Sequence, residues 1–92
     1  MIQYFRFMTL ESFIRKRPYL IWYTKNYAGL SAESIVEATL NYGDWDDVQK
    51  LIKILGIKRT ARIFEKDTHR ARVNYHPKTV HFFHLYFNRH VA

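Results

Sequence analysis

The chain has no cysteine, only two prolines and three glycines, and its longest unbroken apolar run is Tyr19 to Tyr23. Each shortage excludes something. Without cysteine there is no disulfide framework, thiolate metal site or Cys nucleophile, which fits a reducing compartment. The apolar run is far short of the roughly 20 residues that cross a bilayer. No basic–apolar–small-residue leader opens the chain, so a soluble cytoplasmic protein with no membrane partner is expected. Scarce glycine leaves no phosphate-cradling loop, and neither a G-x-S-x-G elbow nor an H-E-x-x-H pair is present. An enzyme acting alone is not expected, and no cofactor is implied.

Ninety-two residues make one domain. Hydrophobic residues are 48% of the chain and aromatic residues 17%, so a core of large rings is available and disorder is excluded. The formal net charge of +7 is unevenly spread. Residues 1–30 carry five Lys/Arg against Glu11, and residues 31–47 carry five acids and no base. Residues 48–92 then carry ten Lys/Arg against Glu65 and Asp67. Such a distribution gives two electrostatic faces, the basic one suited to anionic partners.

Punctuation is clearest from Leu40 to Ile57. Gly43 is read as the left-handed stop of one helix, Asp44 as the N-cap of the next, and Gly56 as its stop. Asp47, three residues after Asp44, completes a capping-box variant. Val48, Leu51, Ile52 and Leu55 recur at helical spacing, with Trp45 at the edge of their stripe. Upstream, Ser31 suits an N-cap for a helix over about 32–42, with Ile35, Ala38, Thr39 and Tyr42 on one side.

The N-terminal third is less regular. Residues 1–8 lack a cap or period and are read as a tail, with Met8 a second candidate start, leaving a single helical domain over 9–92. Thr9 is a candidate N-cap for a helix carrying Leu10, Phe13 and Ile14. Arg15, Lys16 and Arg17 suit its C-terminal end, where cations complement the helix dipole. Pro18 then opens a predicted short helix, Tyr19 to about Tyr27, with Leu20, Ile21, Tyr23 and Tyr27 turned inward and Trp22 able to join them.

Two helices follow Gly56. The first is predicted from Ile57 to about Ala71, with Ile57, Ala61, Phe64, Thr68 and Ala71 within about 80° of arc. Arg59, Arg62, Lys66, His69 and Arg70 lie opposite. The last runs from Pro77 to about His90, and an apolar arc of roughly 160° makes it either central to the core or buried on two sides, the second option implying a dimer or partner surface. The expected fold is all-α, a compact bundle of five or six short helices with a helix-turn-helix-like pair around Gly56. That pair is a partial fit: Ile52 stands where a small residue is favoured, and two later apolar positions fall on Arg62 and Glu65.

Candidate sites follow from these faces. Lys58, Arg59, Arg62, Lys66, Arg70 and Arg72 are the candidate nucleic-acid contacts, since a row of cations neutralises phosphates. Phe82, Phe83, Tyr86 and Phe87 are the candidate partner-binding residues. No metal site is expected. His69, His76, His81, His84 and His90 include one pair at i, i+3, no acid lies beyond Asp67, and Asp44, Asp46 and Asp47 serve a helix start.

A resemblance covers about residues 19–88. The run L-S-A-E-S-I-V-E-A-T-L-N-Y-G-D-W-D-D-V, then L-I-K-I-L-G, R-I-F and H-P-K-T-V-H-F-F-H-L-Y-F, resembles a small helical domain family of bacteria and archaea with no agreed activity. Genes of that kind can lie beside AbiEii-type nucleotidyltransferase toxins, which implies an antitoxin-like role. Three functions stay open: a DNA-binding regulator with a cognate toxin or a second copy as partner, a protein-interaction module without nucleic acid, and an RNA binder that stacks tyrosines on bases.

Overall fold

The computed structural model describes residues 10–22, 24–69 and 75–91, and they form an all-α bundle. Residues 10–15 are helical (α1). After a turn and a 3-10 segment, Tyr27–Gly29, come α2 (Ala32–Tyr42), α3 (Trp45–Leu55), α4 (Ile57–Thr68) and α5 (Pro77–His90). α4 is central, packing on α2, α3 and α5. Among the described residues no helix is long and apolar enough to cross a membrane. The predicted tail, the Thr9 cap, Tyr23 and Ala71 lie outside the described residues.

Side-chain chemistry sets the helix starts. Ser31 accepts the backbone N–H of Ser34 and caps α2. Asp44 accepts the N–H of Asp47 at 2.8 Å, and Asp47 returns the bond by accepting the N–H of Asp44 at 3.1 Å. The capping box read from D-x-x-D is therefore formed. Pro77 occupies the first turn of α5, where its missing N–H costs nothing.

Asp47 does more than cap. Its carboxylate is 3% exposed. Oδ1 accepts Arg17 Nε at 2.7 Å, and Oδ2 accepts the Tyr19 hydroxyl at 2.8 Å. The same guanidinium donates to the Phe13 carbonyl and stands 4.2 Å from the centre of the Phe13 ring. One buried anion thus ties the N-terminal third to the start of α3.

This tie explains the main departure from the sequence reading. Among the described residues of the helix expected over Tyr19–Tyr27, none is α-helical. Residues 18–20 form a turn, residues 21, 22 and 24–26 are irregular, and only Tyr27–Gly29 closes a 3-10 turn. Arg17 and Tyr19 both reach Asp47, far along the chain, and Thr24 Oγ1 accepts the N–H of Asn26, so one distant and one local side-chain contact favour a turn over a helix here. Leu20 and Ile21 are still buried, whereas Trp22 is exposed.

The two glycines around α3 act for different reasons. Gly56 has φ 88° and ψ 143°, a region nearly reserved for glycine, with open space around it. Gly43 was expected to be left-handed, but its φ is −75°. Its role is close approach: a Cβ there would lie 2.7 Å from the Thr39 carbonyl oxygen and 3.0 Å from Asp47 Cβ. Only a bare backbone lets α3 start this tightly against the end of α2.

The buried face of α4 is also rotated from the expected one. Thr60, Ala61, Ile63, Phe64 and Asp67 are buried, while Ile57 and Thr68 are only partly so. Packing on three helices widens and turns the stripe toward Thr60, Ile63 and Asp67. Phe64 is its centre, with the rings of Tyr75, Phe83 and Phe87 at centroid distances of 5.2, 6.2 and 5.4 Å.

Two substitutions test this framework. Asp47→Asn removes the countercharge from the partly buried Arg17 guanidinium and is expected to cost about 3 kcal/mol in urea unfolding at neutral pH. Burial pushes the Asp47 carboxyl up, but hydrogen bonds from Arg17, Tyr19 and the Asp44 N–H outweigh it and hold the pKa below its ordinary value. A lowered folded pKa stabilises above the unfolded value of about 3.9 and is lost as pH falls through the folded one. The gap between wild type and Asp47→Asn should therefore narrow below about pH 4; a constant gap would refute the linkage. Gly56→Ala should cost about 1–3 kcal/mol through backbone strain alone, leaving the denaturant slope unchanged.

Candidate nucleic-acid and partner surfaces

The outward face of α4 carries Lys58, Arg59, Arg62 and Lys66, all exposed. At about 100° per residue they lie within about 100° of arc. The ion pairs formed among the described residues are Arg15–Glu11, Arg17–Asp47 and Lys50–Asp46, and none involves this row. The N-terminus of α4 has no side-chain cap and no acid in its first turn. Lys58 and Arg59 thus stand beside the positive end of the helix dipole, and the four side-chain cations share one face of α4. A row of cations of this kind has the charge to neutralise phosphates.

Arg70 and Arg72, the remaining candidate nucleic-acid contacts, lie outside the described residues. The Arg15–Lys16–Arg17 triplet is largely committed elsewhere. Arg15 pairs with Glu11 at 2.8 Å and sits over the Tyr27 ring, and Arg17 belongs to Asp47. Lys16 is exposed and, with Lys50 and Lys53, edges a groove of about 370 Å³ floored by Phe13 and Ile54.

α3 and α4 are joined through Gly56 alone, shorter than the roughly three- to four-residue turn of a helix-turn-helix unit. The Gly56 N–H reaches the Ile52 carbonyl, and the Gly56 carbonyl accepts Thr60 N–H and Oγ1, so the hinge is bonded on both sides. The cationic strip is carried on a stiff corner.

The four candidate partner-binding residues, Phe82, Phe83, Tyr86 and Phe87, do not share a surface. Phe83 and Phe87 are each 5% exposed and pack on Phe64, so they belong to the core. The wide apolar arc of α5 is real, but its inner part faces α4. Phe82 remains outside, half exposed, and Tyr86 is partly buried. Sequence reasoning missed Trp45 and Leu85 as their companions. Trp45 sets its ring edge-on to Phe82 at 5.9 Å and to Tyr86 at 5.3 Å, and Leu85 is exposed. A second exposed pair, Trp22 and Tyr42, meets edge-on at 5.2 Å. The signal for both was present in the aromatic surplus, which exceeds what so small a core can enclose.

The three clustered aspartates, and His69, His84 and His90, have structural partners. Ligand atoms of Asp44, Asp46 and Asp47 lie within 4.8 Å of one another, yet Asp47 is filled by Arg17, Tyr19 and Asp44, Asp44 caps α3, and Asp46 pairs with Lys50. Hydrogen bonding to Asp47 pushes the Tyr19 hydroxyl pKa up. His69 reaches the Glu65 carbonyl, His84 meets Asn88, and His90 lies against Tyr86.

Alanine substitution separates surface from core. Phe83→Ala should cost about 3–5 kcal/mol of stability by opening a cavity beside Phe64. Phe82→Ala should stay within about 1 kcal/mol, since half of that ring already faces water. Equal losses in thermal or urea unfolding would contradict the assignment.

No family model matches the chain, and comparison with curated proteins and with solved structures gives no match either.

Proposed function

We propose that this protein is a small, non-enzymatic DNA-binding regulator of antitoxin type, with α4 as its phosphate-contacting helix. The observation that carries the reading is the exposed row Lys58, Arg59, Arg62 and Lys66, which no acid pairs with among the described residues. Lys58 and Arg59, in the first turn of α4, add fixed backbone dipole to side-chain charge. Arginine at two of the four places suits bidentate contact with phosphate oxygens. Duplex DNA presents phosphates in regular rows along a rigid groove, which a straight cationic strip on a packed helix matches better than a flexible single strand. The antitoxin-like role and the cognate toxin partner come from the family resemblance, and the cytoplasm is the compartment this reading requires.

A protein-interaction module is the second reading, favoured by the Trp45–Phe82–Tyr86 cluster with Leu85 beside it. The two are compatible, because the clusters lie on different helices.

Fluorescence anisotropy with a labelled duplex tests the first reading. If four phosphates are contacted, log K should fall with log[salt] at a slope of about −3 to −4, losing about 100-fold between 50 and 200 mM salt. Arg59→Gln and Arg62→Gln should each flatten the slope by about 1 without altering the helical signal. Absence of duplex binding at 50 mM salt would sink the proposal. Stronger competition by single-stranded RNA than by duplex would move it to the RNA reading.

A further inference from the structure

α5 carries a second surface that the α4 strip does not use. Lys78, Phe82, Leu85 and Arg89 follow one another at spacings of four, three and four. At about 100° per residue they fall within about 60° of arc, on the side away from buried Phe83 and Phe87. That spacing is a coiled-coil seam, the row one helix presents to another. Its two central residues are large and apolar, with Phe82 50% and Leu85 56% exposed. Trp45 and Tyr86 brace Phe82 from one side, and the adjoining groove has a volume of about 510 Å³.

The ends of the seam determine what fits it. Lys78 and Arg89 are both exposed, and no acid pairs with either among the described residues. A second copy fits poorly. In an antiparallel pair, Lys78 of one copy meets Arg89 of the other; in a parallel pair, each cation meets its own equivalent. Both arrangements bring like charges together on a rim that is losing water. Nucleic acid would satisfy the two cations but lay sugar and phosphate across Leu85. A helix with two apolar residues between carboxylates satisfies all four positions.

We infer that α5 docks an acidic amphipathic helix of a protein partner, its apolar side chains over Phe82 and Leu85 and its carboxylates on Lys78 and Arg89. The mode is helix against helix, with apolar residues as anchors and charges setting direction and partner choice. This surface is separate from the α4 strip, so failure of the DNA reading leaves it standing.

The test uses the full chain and a labelled three-heptad peptide with Leu at a and d and Glu at e and g, a pattern whose like charges keep the peptide from pairing with itself. Saturable binding is expected, at least about tenfold weaker for Leu85→Glu and for Arg89→Glu. Arg89→Glu should regain binding to a peptide with Lys in place of Glu. Both substituted residues are exposed, so helical signal and urea midpoint should hold, and Leu85→Glu should leave duplex DNA binding unchanged. The inference is overturned if the Lys peptide binds wild type as well as the Glu peptide does, or if Leu85→Glu binds the Glu peptide normally. It is equally overturned if the protein alone sediments as a dimer that Leu85→Glu dissociates, or if single-stranded oligonucleotide displaces the peptide and loses its own binding in Leu85→Glu.

Discussion

The buried carboxylate of Asp47 is the constraint on which the other parts depend. It takes Arg17 and Tyr19 from the N-terminal third and the N–H of Asp44 from the start of its own helix. A half-satisfied carboxylate at this depth would cost several kcal/mol, so the three donors must arrive together. Their arrival fixes where α1 ends, why residues 18–22 turn across the bundle, and how α3 leaves α2. Gly43 belongs to the same device, since a side chain there would press on Asp47 Cβ and the Thr39 carbonyl. From α3 the geometry passes through Gly56 to α4, and so to the strip that faces solvent.

Much of this was legible because local rules and the global fold agree. The starts of α2, α3 and α5 at Ser31, Asp44 and Pro77, and the break at Gly56, are local events, and the sequence reading places them where the structure does. What was not legible depends on partners distant in sequence. The Arg17–Asp47 bond spans 30 residues and left no local trace, so Tyr19–Tyr27 looked like a helix. Gly43 looked left-handed because that is the commoner reason for a glycine after a helix. Phe83 and Phe87 looked like surface because a wide apolar arc does not say which half of it another helix will cover. Residues 82 and 83 are neighbours in the chain, yet one is solvent-facing and the other core.

The acids are largely spent on structure. Asp47 is buried with Arg17, Asp44 caps α3, Asp46 and Glu11 pair one turn along their own helices, and Asp67 is buried in α4. The bases outnumber them, and those on α4 and at the ends of the α5 seam face water. Each ion pair among the described residues uses one base for one acid, so the net charge of +7 stays with the remaining bases. Long-range attraction of anions follows from that asymmetry, and salt weakens it.

The α4 strip also runs against the interests of its own helix. Lys58 and Arg59 sit at the end where the dipole favours acids. Lys58–Arg62 and Arg62–Lys66 are like-charge pairs at i, i+4, and Arg59–Arg62 is another at i, i+3. Each such feature costs about 0.2–0.5 kcal/mol on an isolated helix. Exposed Glu65, at i+3 from Arg62, lies at the edge of the row but forms no ion pair with it among the described residues, unlike Asp46–Lys50 on α3 and Glu11–Arg15 on α1. α4 tolerates the repulsion because Phe64, Ile63, Thr60 and Ala61 bury its other side against three helices. Local choices that disagree with the fold, on the one helix best able to bear them, are where a functional surface is expected. An anion laid along the strip would relieve these repulsions together, which is the physical sense in which the strip suits the proposed phosphate contact.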